Sequence, residues 1–339
     1  MEFFINLNVI AALVTFQRLE LLNLKALIID KPVTAEEIFL SECEIPKVKS
    51  GWVLLKIRAF GLNHSEQILR REEILEDYIQ KPVIPGIECA GEIADASDTN
   101  FKIGDKVIAM MGGMGRSFNG SYAEFALLPA HHVFKVKTNL NWAELGAIPE
   151  TYFTAWGSLF ECLRLKKSDA LLIRGATCAL GYAAIQIAKT LGAKVIATTH
   201  RESKFPLLKD ADEIILDDGK LAGKISTAKA LDLVGPKVLK DTLKTVVPSE
   251  SAFVCCTGIL GGVELLNNFD PITAIPNGVY LTGFYSNTPT QKVVDEIFNF
   301  MNKNNLTPYI GKVFDFENLR EALMAQDSGK VNGKIVVRI

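Results

Sequence analysis

The sequence predicts an α/β protein in which a doubly wound parallel sheet is joined to a second, β-rich domain. Three observations carry the prediction. Residues 171–199, LLIRGATCALGYAAIQIAKTLGAKVIATT, read as a strand, a glycine turn, an amphipathic helix and a second strand. Downstream, the largely apolar runs at 213–216, 230–234, 252–256 and 279–281 recur between helical or irregular segments, the rhythm of a parallel sheet covered on both faces. Upstream, from Leu24 to about residue 145, short alternating or apolar runs separated by turn residues predict a compact β-rich unit with only short helices.

Taken in order, that unit begins with LKALIID at Leu24 and continues with runs at 26–29, 52–59, 91–94, 106–110 and 122–127. Residues 1–23 are expected to be an extension outside the working fold, with Leu24 as an alternative start because UUG encodes leucine internally. The apolar stretch 3–16 is too short to span a bilayer, and Glu2 stands where a signal peptide would carry a cation. A glycine cluster, MMGGMGRSFNG, precedes the run at 122; a loop of this composition (111–119) is expected to shape a substrate mouth.

The βαβ unit is the organising element. Ala184, Ile187, Ala188 and Leu191 share one helical face, Gly192 stops the helix in a left-handed conformation, and Val195 begins the next strand. Such a unit aims free helix amides and the positive end of the helix dipole at whatever lies above the first strand, and so makes a pyrophosphate cradle. The glycine spacing is imperfect, with Gly175 and Gly181 present and Cys178 between them, so a plain tight turn is the competing reading. The cradle assigned here is Gly175, Thr177, Cys178, Ala179, Leu180 and Gly181.

The end of the second strand separates the two nicotinamide cofactors. An acid there suits the ribose hydroxyls of NAD, whereas cations and hydroxyls suit the 2′-phosphate of NADP. Thr198, Thr199, His200, Arg201, Glu202, Ser203 and Lys204 favour NADPH, with Thr199, Arg201 and Lys204 as its candidate contacts. A solvated basic loop is the alternative, and Glu202 facing the ribose would reverse the choice. Thr257 and Gly258 follow the run at 252–256 at its carboxyl end, where ligands of such sheets sit. In the tail, Val294, Ile297, Phe298 and Met301 have helical spacing, and strands are expected around Val313 and Phe314 and at 333–339.

At 339 residues the chain accommodates two domains. Its 48% hydrophobic and 22% charged residues are ordinary for a globular enzyme, and a net charge of −2 gives no reason to expect nucleic acid or an anionic membrane as partner. Six cysteines without C-x-x-C spacing argue against disulfides and for a reducing cytoplasm. Cys178, Cys255 and Cys256 are read as small buried residues beside the sheet edge.

Together, AFGLNHSE, PVIPGIECAGEI, FKIGDKVIAMMGG, GSYAEFALLPA, ETYFTAWGSLF, the βαβ unit and GKIVV resemble, in order, the medium-chain dehydrogenase/reductase superfamily and its zinc-free quinone oxidoreductase branch. The resemblance implies a GroES-like catalytic domain (24–147), a Rossmann NADPH-binding domain (148–286) and a C-terminal return to the catalytic domain (287–339). Zinc-dependent relatives place a Cys and a His where this chain has Asn63 and His64 near the first position and Ile87 at the second. No Cys, His and carboxylate set is left to close a tetrahedron, so no metal is expected.

By the same resemblance Asn63 lies at the nicotinamide end of the cleft, Thr154 meets the cofactor near its carboxamide, and Asn332 is a further contact. A turn residue, a helix-start hydroxyl and a bare N-G turn are the respective alternatives. Tyr152 and Tyr122 are the nearest candidates for a proton donor, although packed aromatics are the commoner outcome, and His64 is placed at the acceptor site. His131 and His132 are expected on the surface. The expected function is NADPH-dependent, zinc-independent hydride transfer to quinones or α,β-unsaturated carbonyls by a homodimer pairing through residues 279–284. The alternatives are an alkenal or enoyl-thioester reductase and a redox-silent NADPH-binding regulatory protein.

Overall fold

The computed structural model describes residues 23–339, so the expectation for the extension lies, but for Asn23, outside the described residues. The β-rich unit contains β1 (Asn23–Ala26), β2 (Ser41–Glu44), β3 (Trp52–Gly61), β4 (Glu88–Asp95), β5 (Lys106–Met110), β6 (Phe125–Pro129) and β7 (Val133–Lys135). The parallel unit contains β8 (Ala170–Arg174), β9 (Lys194–Thr199), β10 (Glu213–Leu216), β11 (Lys229–Asp232), β12 (Phe253–Cys256) and β13 (Tyr280–Gly283), and the tail adds β14 (Ile310–Asp315) and β15 (Lys334–Arg338).

The second set pairs in the order β10-β9-β8-β11-β12-β13 with every ladder parallel. The order reverses between β8 and β11, which opens a crevice outside their carboxyl ends. The other large sheet runs β14-β15-β3-β4-β5-β7, with β6 also paired to β3. It is antiparallel except for β14 on β15, so the last strand of the chain lies directly against β3. That pairing carries Lys334 from the tail to the neighbourhood of Gly61 and Asn63.

Six helices matter to the site: α1 (His64–Arg71), α2 (Trp142–Gly146), α3 (Pro149–Trp156), α4 (Ala179–Leu191), α5 (Gln291–Lys303) and α6 (Leu319–Asp327). In α4, Ala184, Ile187 and Ala188 are buried, and Gly192 closes the helix at φ 92°. In α5 the four apolar residues at helical spacing, Val294, Ile297, Phe298 and Met301, are the buried ones. Burying a side chain of that size contributes about 1.5–3 kcal/mol, and it fastens α5 to α3 and β7. Ala90, Ile108, Met110 and Phe134 of the antiparallel sheet share one apolar core with Ile173, Val195 and α4. The walls of the cleft between the two units are therefore packed against each other.

The glycine cluster departs from expectation. Gly112, Gly113 and Gly115 have positive φ, and the amides of Arg116 and Ser117 donate to Gly113 O, so the segment closes into a tight turn with Met114 buried beneath it. Residues 111–119 line neither cavity of the cleft described below. His132 also departs: its ring packs where a Cβ on Gly112 would stand, and burial with His131 nearby lowers its pKa.

Candidate active site

The crevice at the switch point holds a cavity of about 510 Å³ lined by Gly175, Thr177, Cys178, Thr198, Thr199, His200, Lys204, Asp217, Asp218, Lys237 and Leu260, among others. Gly175 sits at φ 80°, a conformation that side chains rarely adopt. A Cβ on Gly181 would stand 2.2 Å from Ala176 O, so only glycine lets the first turn of α4 press against the turn that follows β8. Cys178 is the N-cap of α4: its backbone is extended and its Sγ accepts from the Gly181 amide at 3.3 Å. An extended φ needs no glycine, which explains how the degenerate position is tolerated.

The charges in this cavity are unevenly committed. Asp217 is held by the fully buried Arg174 through Nε at 2.8 Å and Nη2 at 3.0 Å, and Asp218 pairs with Lys224 at 2.7 Å. Lys204 and Lys237 form no ion pair among the described residues. Burial, then Arg201, holds the Lys204 ammonium below its ordinary pKa. The acids are thus neutralised from behind while two cations stay free toward the cavity.

A second cavity of about 300 Å³ shares Cys178 and Leu260 with the first. Leu62, Asn63, His64, Ile68, Ile87, Glu150, Thr154 and Lys334 line it from one side, and Ala179, Leu180, Leu233, Thr257, Gly258 and Ile259 from the other. Under it lies a buried polar cluster. Lys334 Nζ donates to Asn63 Oδ1 at 2.6 Å and pairs with Glu88 Oε1 at 2.6 Å, while Asn63 Nδ2 donates to Glu88 Oε1 at 2.8 Å. Glu66 takes the Asn63 amide at 2.7 Å and the Ile87 amide at 3.0 Å. Of the three carboxylates gathered here, Glu66, Glu88 and Glu150, only Glu88 pairs with this lysine. Burial accordingly pushes Glu66 up to about 7 and Glu150 up to about 8 against an ordinary 4.5, with Glu88 raising both.

Residues 49–138 match the alcohol dehydrogenase GroES-like domain family, and residues 210–337 the zinc-binding dehydrogenase family. The chain belongs to the medium-chain dehydrogenase/reductase superfamily, in its quinone oxidoreductase-like branch. It is similar to human quinone oxidoreductase, 32% identical over 184 residues that cover 53% of this chain and 51% of that protein, so this match spans about half the relative's length. Rat quinone oxidoreductase is 27% identical over 316 residues, covering 88% of this chain and 92% of that one. The solved quinone oxidoreductase of Coxiella burnetii superposes with a TM-score of 0.80 at 21% identity, over 94% and 99% of the two chains, which shows the shared fold.

Zinc is implied by the name of one matching family, but the residues here do not fit it. Among the described residues no three His, Cys, Asp or Glu side chains stand together as a donor set. Glu88 is already paired with the Lys334 ammonium, and a second cation there would meet like charge. A nicotinamide dinucleotide, the cofactor this superfamily suggests, does fit. The glycine turn, the N-terminal turn of α4 and two cavities joined at Cys178 offer it a phosphate site and two end pockets.

Of the residues singled out from sequence, Gly175, Thr177, Cys178, Thr199 and Lys204 line the first cavity, and Asn63, His64, Thr154, Cys178, Ala179, Leu180, Thr257 and Gly258 the second. Gly181 acts behind the wall. Arg201 is exposed and lines neither cavity, although it is near enough to depress Lys204; Glu202 is exposed as well. Tyr152 also lines neither: it is buried and its hydroxyl donates to Gln186, so the aromatic is a packing residue. Tyr122 is buried and stacked on Phe60. Asn332 lines neither cavity, and its Oδ1 is buried without a partner.

The structure adds residues to the site that the sequence reading did not single out. Glu88, Glu150 and Lys334 meet from β4, α3 and β15, and Asp217 and Lys237 join the first cavity. One signal was present: Glu150 precedes Thr154 by one helical turn, which puts both on one face.

Proposed function

We propose that the protein is an NADPH-dependent, zinc-independent reductase of electron-poor apolar acceptors, quinones or α,β-unsaturated carbonyls. The observation that carries the reading is the pair of joined cavities with opposite character. One has free cations beyond the ends of β9 and β11, and the other an apolar lining with a few polar groups. Lys204 and Lys237, with His200 between the strand end and the cavity, suit a 2′-phosphate, and Arg174 removes Asp217 as a competing negative charge. The bound cofactor would supply a hydride. This chain's residues would orient it through Thr154, Thr257 and the cradle and keep water from the acceptor with Leu62, Ile68, Ile87, Leu180, Leu233 and Ile259.

Without a Lewis acid, an alcohol oxidation would lack a group to stabilise the alkoxide, whereas conjugate hydride addition needs only positioning and a proton source. The exposed edge strand β13, with Tyr280 on it 50% exposed and Tyr285 just beyond it 78% exposed, is the face through which two copies would pair. The test is consumption of NADPH and NADH, side by side, with an ortho-quinone and a short enal in the presence of a chelator. Turnover that prefers NADPH and survives chelation is the expected result. Saturable NADPH binding with no turnover would favour a regulatory role instead.

A further inference from the structure

Glu150 is the second residue of α3 and lines the apolar cavity beside Asn63, Thr154 and Lys334. Its two oxygens are in different situations. Oε1 accepts from Thr154 Oγ1 at 2.8 Å and from Ser286 Oγ at 2.6 Å, which uses both of its lone pairs. Oε2 is buried and has no partner. An ionised carboxylate in this place would leave a buried charge unsatisfied on Oε2, whereas the neutral acid carries there an O–H that lacks only an acceptor.

We propose that Glu150 is the proton donor of the site: Thr154 and Ser286 hold its carboxyl so that the O–H stands on Oε2, available to the oxygen of an acceptor in the cavity. This deepens the reductase reading and rests on it. With a nicotinamide cofactor bound, the acceptor's electron-poor carbon would take its hydride, so that a C–H bond forms on the acceptor and the cofactor's C–H bond breaks with its two-electron oxidation. The Oε2–H bond of Glu150 breaks and its proton forms an O–H bond on the acceptor oxygen. The Glu150 carboxylate then recovers a proton from solvent at the mouth, where His64 is exposed.

The charged and titratable surroundings are consistent with an acid that stays protonated at neutral pH. Burial pushes Glu150 up, the Ser286 hydroxyl opposes it, Glu88 on β4 pushes it further up, and Thr154 and Lys334 on β15 oppose. Glu66 lies behind Glu88 and Asn63 on α1, while His64 and Cys178 line the same cavity. Lys334 is committed to Glu88, so it moderates the pair without making Glu150 an ion.

Glu150→Gln keeps an oxygen for Thr154 and Ser286 and removes the transferable proton. Three readouts decide the matter: NADPH affinity by fluorescence titration, single-turnover reduction of a short enal across pH, and the infrared carboxylic-acid C=O band. Glu150→Gln should leave the NADPH Kd within about twofold while lowering the reduction rate roughly 10²–10⁴-fold, the range of general acid catalysis. The wild-type rate should fall as pH rises through about 8, and a carboxylic-acid band absent from the variant should disappear over the same range. Should Glu150→Gln not fold, Ser286→Ala serves instead: it removes a bond to the carboxylate and should move the alkaline limb upward.

A wild type that turns over while Glu150→Gln matches it, a carboxylic-acid band titrating at about 8 and not about 7 that persists in Glu150→Gln, or an alkaline limb unmoved in Ser286→Ala overturns the donor role alone. A wild type that binds no NADPH or reduces no acceptor overturns the reductase reading, and the donor role with it.

Discussion

Lys334, five residues before the last residue described, places its Nζ 2.6 Å from Oε1 of Glu88 on β4, with 3% and 0% of the two side chains exposed. The pair ties the tail of the chain to the floor of the apolar cavity. Removing one partner strands a buried charge. Lys334→Met should therefore destabilise the fold by about 3–5 kcal/mol in denaturant titration, and Lys334→Met with Glu88→Gln should recover part of that loss. A double variant no more stable than the single one would refute the pairing as the cause.

Two raised carboxyls link stability to pH. Glu66 and Glu150 ionise near 4.5 when unfolded but stay protonated in the fold to about 7 and about 8. Between those limits the folded state binds more protons, so what these two groups contribute is fully present below about pH 4.5 and is lost as pH climbs to about 8. Melting temperatures measured from acid to mildly alkaline pH should fall across that window, and Glu150→Gln should remove the part of the slope nearest pH 8.

Cofactor preference rests on a free cation. If Lys204 meets the 2′-phosphate with a charge-assisted bond worth about 1.5–3 kcal/mol, Lys204→Ala should weaken NADPH binding roughly tenfold to a hundredfold and leave NADH binding nearly unchanged. Arg201→Ala, at an exposed position, should show the same selectivity with a smaller loss. Equal losses for both cofactors in isothermal titration would refute the assignment.

The N-cap of α4 is a sulfur where oxygen caps better. Cys178→Ser should strengthen the bond to the Gly181 amide and stabilise the protein by roughly 0.5–1 kcal/mol, read as a rise in melting temperature. Gly181→Ala acts oppositely, because its Cβ would meet Ala176 O at 2.2 Å; unfolding at lower temperature and weaker NADPH binding are expected together.

Much of the architecture was legible in the sequence because it is written in local periodicity. The βαβ unit, the buried face of α5 and the parallel runs at 213–216 and 252–256 all coincide with observed elements, and Gly192 ends α4 as its position suggested. The first cavity was legible in part for the same reason: Gly175, Thr177, Cys178, Thr199 and Lys204 are neighbours along the chain before they are neighbours in space. The glycine cluster at 111–119 misled, since glycine content signals freedom and says nothing of which turn the loop will close into.

What the sequence by itself determined is the strands and helices, the glycine turn that opens α4 and the superfamily resemblance, each of which is written in short runs of neighbouring residues. Only the tertiary structure decided which acid is buried and which cation is spent. Glu88, Glu150 and Lys334 are far apart in the chain and meet because β15 pairs with β3 while α3 abuts β4. Arg174 silences Asp217 across a sheet edge, Tyr152 turns out to be packed, and Glu150 is left with one oxygen unpartnered. Desolvation and charge pairing are properties of surroundings assembled from distant segments, and no local pattern of residue types encodes them.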